Sequence, residues 1–335
     1  MKLASLKAGG RDGALVVASR DLARAVAVAD IAPTLQAALD NWQETSPKLA
    51  AVYRSLDEGA PAGVFELEPR ALAAPLPRAY QFLDASAYLS HVERARRARG
   101  AELPADARSE PLMYQGCSDP ILGPRDPIAV ASEALASEDW GADFEAEVAV
   151  VTDDVPMGIS AQAAGAHIKL LMLLNDVSLR GLIPAEIAKG FGFVHGKPPS
   201  AYAPAAVSAD EIGAAWDGAR LHLPVEVTLN GEPFGAPEAG RDMAFDFPAL
   251  VAHAARTRPL GAGTIIGSGA VSNADHAIGF GCIVERRAVE ATANGKPTTP
   301  YLRPGDRVRI EMRDRQGRSL FGAIEQEVVR YEGAR

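Results

Sequence analysis

Cysteine is nearly absent: Cys117 and Cys282 are the only two in 335 residues. Two thiols cannot build a disulfide framework, and without histidines in ligand spacing beside them they make a poor zinc site, so both read as core residues. Long apolar runs are also missing. Stretches such as Ile168 to Leu174 fall far short of the roughly 20 residues that a membrane span requires. The N-terminus is too polar for a secretory signal, so the expectation is a cytoplasmic protein with no membrane partner. Basic charge is in deficit, 34 Lys and Arg against 43 Asp and Glu for a net −9, which argues against nucleic acid as a partner. The one basic cluster, Arg94 to Arg99, reads as the solvated end of a helix, where cations complement the macrodipole. Internal repeats and low-complexity tracts are absent.

With 47% hydrophobic and 23% charged residues, the chain is an ordinary globular one, long enough for one large domain and a smaller one. The passage Pro75-Leu76-Pro77 reads as a linker between a small N-terminal domain, residues 1–74, and a larger one, residues 75–332. In the first, a strand-like run Ala14 to Ala18 precedes a helical pattern from Ile31 to Leu56. The second carries strand signals at Glu145 to Val151, Lys169 to Leu174, Leu221 to Leu229, Thr264 to Gly267, Arg307 to Met312 and Gly322 to Val329. Asn230-Gly231 and Asn294-Gly295 are hairpin-type turn signals. Helical patterns stand between strands only at Ser160 to His167 and Phe247 to Thr257, too few for a doubly wound parallel sheet. The expected fold is α+β and β-rich, with mixed or antiparallel sheets.

Three segments could carry chemistry. In Asp143-Phe144-Glu145-Ala146-Glu147, strand phase puts Glu145 and Glu147 on one face with Ala149 and Val151, roughly 7 Å apart. Two carboxylates on an otherwise apolar face resist desolvation unless a cation sits between them; the plain alternative is a solvated strand face. The run Leu171 to Asn175 reads as an interior strand delivering Asp176 to its end, where it either reaches a site or caps the next turn. Asp84 and His91, on one helix face if Asp84 begins a helix, would lie roughly 10 Å apart and border one cavity; otherwise they are an N-cap and a structural histidine. Carboxylates without paired thiols or histidines select a hard ion such as Mg²⁺ or Ca²⁺.

Together these residues are similar to a known family. Asp84 with His91, Glu145-x-Glu147, Asn175-Asp176-Val177-Ser178-x-Arg180, the loop Lys189-Gly190-Phe191-Gly192 leading to Lys197, Gly263-Thr264-Ile265-Ile266-Gly267-Ser268-Gly269 and Pro304-Gly305-Asp306-x-Val308 resemble the fumarylacetoacetate hydrolases, bacterial members above all. The resemblance runs from about Tyr80 to Val329. It implies a β-roll or sandwich in the larger domain, one divalent cation (Mg²⁺ or Ca²⁺) held by Asp84, Glu145, Glu147 and Asp176, and a homodimer. It also implies His91 as general base oriented by Glu285, Arg180 and Lys197 as cations at the reacting oxygen, and Tyr114 and Thr264 as further ligand contacts. Animal-type members carry Gln three residues after the Arg, where this chain has Ile183, so one oxyanion donor is missing or replaced.

The activity so implied is hydrolysis of a carbon–carbon bond in a β-diketo acid, with fumarylacetoacetate, a substrate of tyrosine catabolism, as first expectation. An acylpyruvate or fumarylpyruvate hydrolase is the nearest rival, followed by a decarboxylase, isomerase or hydratase of the same family. A rival of another class is a protein whose acids bind a cation only to stabilise the fold. Of the other histidines, His195, two residues before Lys197, is the one competitor for the role of base.

Overall fold

In the computed structural model, which describes residues 1–59, 61–97, 100–131, 140–331 and 333, the apolar runs become neighbours at the centre of one large mixed sheet. Strand Ala146–Thr152 pairs antiparallel with Ile168–Asn175, placing Leu174 opposite Glu147. Both strands are buried on two faces, which is why their sequences lack a clean polar alternation. Ile265–Gly267 runs along the other side of Ala146–Thr152, with Gly267 opposite Ala149. Its farther neighbour is the parallel strand Phe82–Ala85, where Gly267 meets Asp84. Met113–Gln115 ends this flank, with Tyr114 opposite Asp84.

On the opposite flank Ala206–Val207 joins Ile168–Asn175 to Lys2–Leu6. The sheet continues through Ala14–Ala18, Arg24–Ala27 and Val64–Glu66. The N-terminal strands thus extend the sheet that carries the site residues. A second sheet orders Glu232–Gly235, Val225–Leu229, Arg307–Met312, Ile324–Tyr331 and Ile128–Ala131.

The central strands divide their side chains between two cores. Val148 and Val150, with Leu171 and Leu173, pack with Val225, Ile310 and Ile324 of the second sheet. Ala149 and Val151, with Leu170 and Met172, pack with Leu35, Leu39 and Leu49 of the N-terminal helices. Each such buried aliphatic side chain is worth about 1.5–3 kcal/mol relative to exposure. The fold is therefore α+β and sheet-rich, its two larger sheets open and layered as in a sandwich or roll. No helix among the described residues is long and apolar enough to cross a membrane.

Several local expectations give way. The helical pattern from Ile31 breaks into Leu35–Asp40, capped by the Thr34 hydroxyl, and Trp42–Glu58. Further helices lie between strands, Ile183–Lys189 and Ile283–Asn294 among them. Asn230-Gly231 does turn a hairpin, both residues at positive φ, but Asn294-Gly295 ends the last of these helices, with Gly295 at φ 77°. A glycine in the left-handed region serves either purpose, and the dipeptide does not say which. The proline passage is packed, with Leu76 buried among the N-terminal helices and the Pro75 carbonyl accepting from Ser5. Cys282 is buried, whereas Cys117 is only half-buried. Arg99 and Glu332 lie outside the described residues.

Candidate metal centre and active site

Register alone brings three of the expected acids together. Asp84 pairs with Gly267, Glu147 lies two residues along the strand from Ala149, the other partner of Gly267, and Asp176 follows the strand paired with Glu147. Oxygens of Asp84, Glu147 and Asp176 lie within 4.8 Å of one another, and all three residues are buried. Asp84 stands on a strand, not at the start of a helix, so the helix-face geometry expected of it with His91 does not apply. His91 comes from the following helix, Leu89–Arg97.

Three buried carboxylates this close repel one another, and a cation among them would relieve the repulsion. Burial first, then repulsion from Asp176, pushes the Asp84 carboxyl up to about 7. Burial, with Asp84 next, pushes Glu147 well above the usual carboxylate range. Neither oxygen of Glu147 has a hydrogen-bond partner among the described residues, a costly arrangement for a buried polar group. Gly267 makes the approach possible, since a Cβ there would lie 2.3 Å from Asp84 Oδ1 and 3.2 Å from Glu147 Oε2. An all-oxygen set of this kind fits a hard divalent ion.

Glu145, expected as a fourth ligand, instead faces cations. Its Oε1 accepts from Arg180 at 2.7 Å, and its Oε2 from Lys197 at 2.5 Å and Ser178 at 3.2 Å. The structure brings it beside the triad but not into it. Burial alone would raise its carboxyl, yet Arg180, Lys197 and His91 outweigh burial and hold it well below the usual range. Lys197 also donates to Asp176. Arg180 is shared between Glu145 and Asp143, so both cations are fixed and permanently charged.

His91 stands between two acids, with Nδ1 2.7 Å from Glu285 Oε1 and Nε2 3.5 Å from Glu145 Oε1. A carboxylate at Nδ1 accepts the proton there, which leaves Nε2 as the basic nitrogen. The other oxygen of Glu285 accepts from Arg94 and Ser272, each at 2.9 Å. Burial would raise the Glu285 carboxyl, but His91 and Arg94 keep it low. Asp143 takes the N–H groups of Ile283 and Val284 at 2.7 and 2.9 Å, fixing the start of the helix that carries Glu285.

Tyr114 donates to Asp176 at 2.6 Å and borders a cavity of ≈ 340 Å³ that also exposes Asp84, His91, Glu145, Arg180 and Lys197. Thr264 does not reach that space. It sits at the far end of its strand, its hydroxyl turned to the Gly261 carbonyl, and the later Gly269 and Ala270 border the cavity instead. His195, the rival base, is 80% exposed and near Glu186. Arg94, read as a solvated helix end, is only 14% exposed and buried against Glu285. Arg94, Ser272 and Asp143 went unrecognised in sequence. The one signal was the spacing of three between His91 and Arg94, which shares a helix face. Cys282, read as a core residue without a histidine in ligand spacing, has its sulfur 3.8 Å from His91 Nδ1.

A family model for the C-terminal domain of fumarylacetoacetate hydrolases matches residues 81–329, and one for fumarylacetoacetase N-terminal domain 2 matches residues 1–78. The chain belongs to the fumarylacetoacetate hydrolase family. Family members are enzymes, hydrolases and isomerases among them. The fold is similar to that of fumarylacetoacetate hydrolase from Exiguobacterium antarcticum, with TM-score 0.68, 18% identity, and 99% of this chain and 100% of that one covered. It is also similar to maleylpyruvate hydrolase from Sphingobium sp. SYK-6 in complex with manganese(II) and pyruvate, with TM-score 0.65, 15% identity and coverage of 99% and 100%. A third such fold is 2-hydroxyhepta-2,4-diene-1,7-dioate isomerase from Mycobacterium marinum, with TM-score 0.59, 18% identity and coverage of 99% and 100%. None of the curated proteins matches.

Proposed function

We propose that the protein hydrolyses a carbon–carbon bond in a β-diketo acid, using one divalent cation, Mg²⁺, Ca²⁺ or Mn²⁺, at Asp84, Glu147 and Asp176, with Glu145 beside them. The observation that carries this reading is the unpartnered Glu147 carboxylate, clustered with Asp84 and Asp176, where Asp84 borders the same cavity as His91 of the histidine–carboxylate pair. A site that merely stabilised the fold would have no use for a base backed by a buried acid. The manganese of the Sphingobium maleylpyruvate hydrolase complex supports the choice of ion.

When bound, the cation polarises the substrate's oxygens as a Lewis acid and stabilises the enolate that departs. His91 Nε2 takes a proton from water, whose hydroxyl adds to the scissile carbonyl carbon. Glu285 holds Nδ1–H and steadies the imidazolium, as the acid of a triad does, without a covalent nucleophile. The carbon–carbon bond breaks with its electron pair going to the enolate carbon, which receives the proton from His91. Arg180 and Lys197, already fixed by acids, place positive charge near the oxygen that becomes negative.

Fumarylacetoacetate is the reference substrate of this reading. An acylpyruvate is the second, favoured by Ile183, which borders the cavity and offers no donor. Incubation of purified protein with fumarylacetoacetate, fumarylpyruvate and acetylpyruvate in Mg²⁺ or Mn²⁺, followed by mass identification of products, tests both. Decarboxylation of oxaloacetate with no cleavage of any 1,3-diketo acid would move the protein to a lyase.

A further inference from the structure

The cavity has two kinds of lining. Beside Asp84, Glu145, His91, Arg180 and Lys197 it is bordered by Val92, Ala95, Leu112, Ile183, Ile187 and Phe193.

This apolar wall is held in place. The Glu186 carboxylate, on the helix that carries Ile183 and Ile187, accepts the backbone N–H groups of Val194, His195 and Gly196 at 2.9, 2.8 and 2.8 Å. That clamp ties the loop bearing Phe193 to the helix. The Phe193 ring packs edge-on against Tyr114, centroids 4.9 Å apart. Gly196 sits so close to Ile183 that a Cβ there would come within 2.7 Å of Ile183 Cγ1, so the loop packs directly on that side chain. The cations bordering the cavity give this wall little help. Arg180 is held by Asp143 and Glu145, and Lys197 by Glu145 and Asp176. Arg96 turns Nη1 to the Glu102 carbonyl at 3.3 Å.

We propose that Ile183, Ile187 and Phe193 form a subsite for an apolar acyl end, so that between the two proposed substrates the acylpyruvate, with one charged head at the metal and an uncharged tail, is preferred to fumarylacetoacetate, which carries a carboxylate at each end. This rests on the β-diketo acid reading of the same site. A carboxylate carried on the tail would give up its hydration against these apolar side chains, and only a bond to Arg96, which borders the same cavity, would offset that loss. An apolar tail of the same length gains contact at no such cost.

The subsite can be read by binding alone. Isothermal titration of Mn²⁺-loaded protein with 2-oxohexanoate and 2-oxoadipate compares equal chains that differ at the far end. 2-Oxohexanoate should bind at least about tenfold tighter, the order that pocket complementarity of a few carbons supplies. Ile183→Gln should shrink that preference. Ile187→Arg, at a position 49% exposed and therefore tolerant of change, should reverse it. Tighter 2-oxoadipate binding that disappears in Arg96→Gln would overturn the proposal in favour of a carboxylate at Arg96, and absence of binding by either acid would overturn it too. Turnover of 1,3-diketo acids bearing the same two ends separates this inference from the reaction it rests on. Preferential binding with no cleavage rejects the reaction and keeps the subsite; cleavage with no preference rejects the subsite and keeps the reaction.

Discussion

At the scale of single residues, the chemistry depends on which nitrogen of His91 is free. Glu285 engages Nδ1, so His91→Ala removes the base and leaves Asp84, Glu147 and Asp176 untouched. Turnover should fall by about 10²- to 10⁴-fold, while Mn²⁺ affinity measured by calorimetry stays within error; a variant that keeps near-normal turnover would reassign the base. The acids predict a second behaviour. A carboxyl raised in the folded state favours the fold while protonated. Asp84, pushed up to about 7 from its usual 3.8, therefore stabilises fully below about pH 4, and its contribution disappears as pH rises through about 7, while Glu147, pushed up also, acts in the same direction. Metal-free protein should melt at a lower temperature at about pH 8 than at about pH 5, and saturating Mn²⁺ should abolish the difference. Glu147→Gln should flatten the metal-free profile while weakening ion binding, and an unchanged profile in that variant would show that Glu147 is not the strained group. Asp84, Glu147 and Asp176 were legible in sequence because each interrupts an apolar run, where a charge needs a reason. Arg94 and Ser272 were not. Their partner Glu285 lies almost two hundred residues along the chain from Arg94, |i−j| = 191, and no local pattern connects them.

At the scale of elements, the strand runs were readable because burial on both faces leaves continuous apolar stretches, and Arg307–Met312 falls where its composition places it. The helix Ile283–Asn294 was missed because its start is capped by Asp143 from another strand, so the chain lacks a local capping signal at Cys282. Thr264 was misjudged for a related reason. Membership of the Gly263–Gly269 run does not say which end of the strand faces the cavity, and pairing with Phe82–Ala85 decides it. The glycine that matters in this run is Gly267. Gly267→Ala puts a methyl group into the space between Asp84 and Glu147, so metal affinity should drop by at least about tenfold, equivalent to about 1.4 kcal/mol, with the far-ultraviolet dichroism unchanged. Undiminished affinity would mean that the acids can separate and still hold the ion.

At the scale of the whole molecule, composition argued against classes of function but could not show that residues 1–66 would extend the central sheet, because strand pairing across Lys2–Leu6 and Ala206–Val207 joins segments some two hundred residues apart. The surface poses the remaining question. Scattered exposed apolar side chains are ordinary, but Ile187, Phe191 and Val194, exposed by 49%, 98% and 76%, fall within one short segment beside the cavity mouth. The same segment supplies Ile183 and Phe193 to the cavity wall, so covering it would also shield the subsite from water. We propose that a second copy of the chain covers it, giving a homodimer whose interface adjoins both active sites; closed twofold pairing buries such a patch on each subunit at once. Light scattering should then give twice the 35.2 kDa chain mass at micromolar concentration. Phe191→Glu, which removes an aromatic ring from the patch and places like charges across a twofold axis, should yield the monomer mass with unchanged dichroism. A monomer in the unaltered protein, or a dimer indifferent to Phe191→Glu, would leave the patch without that partner.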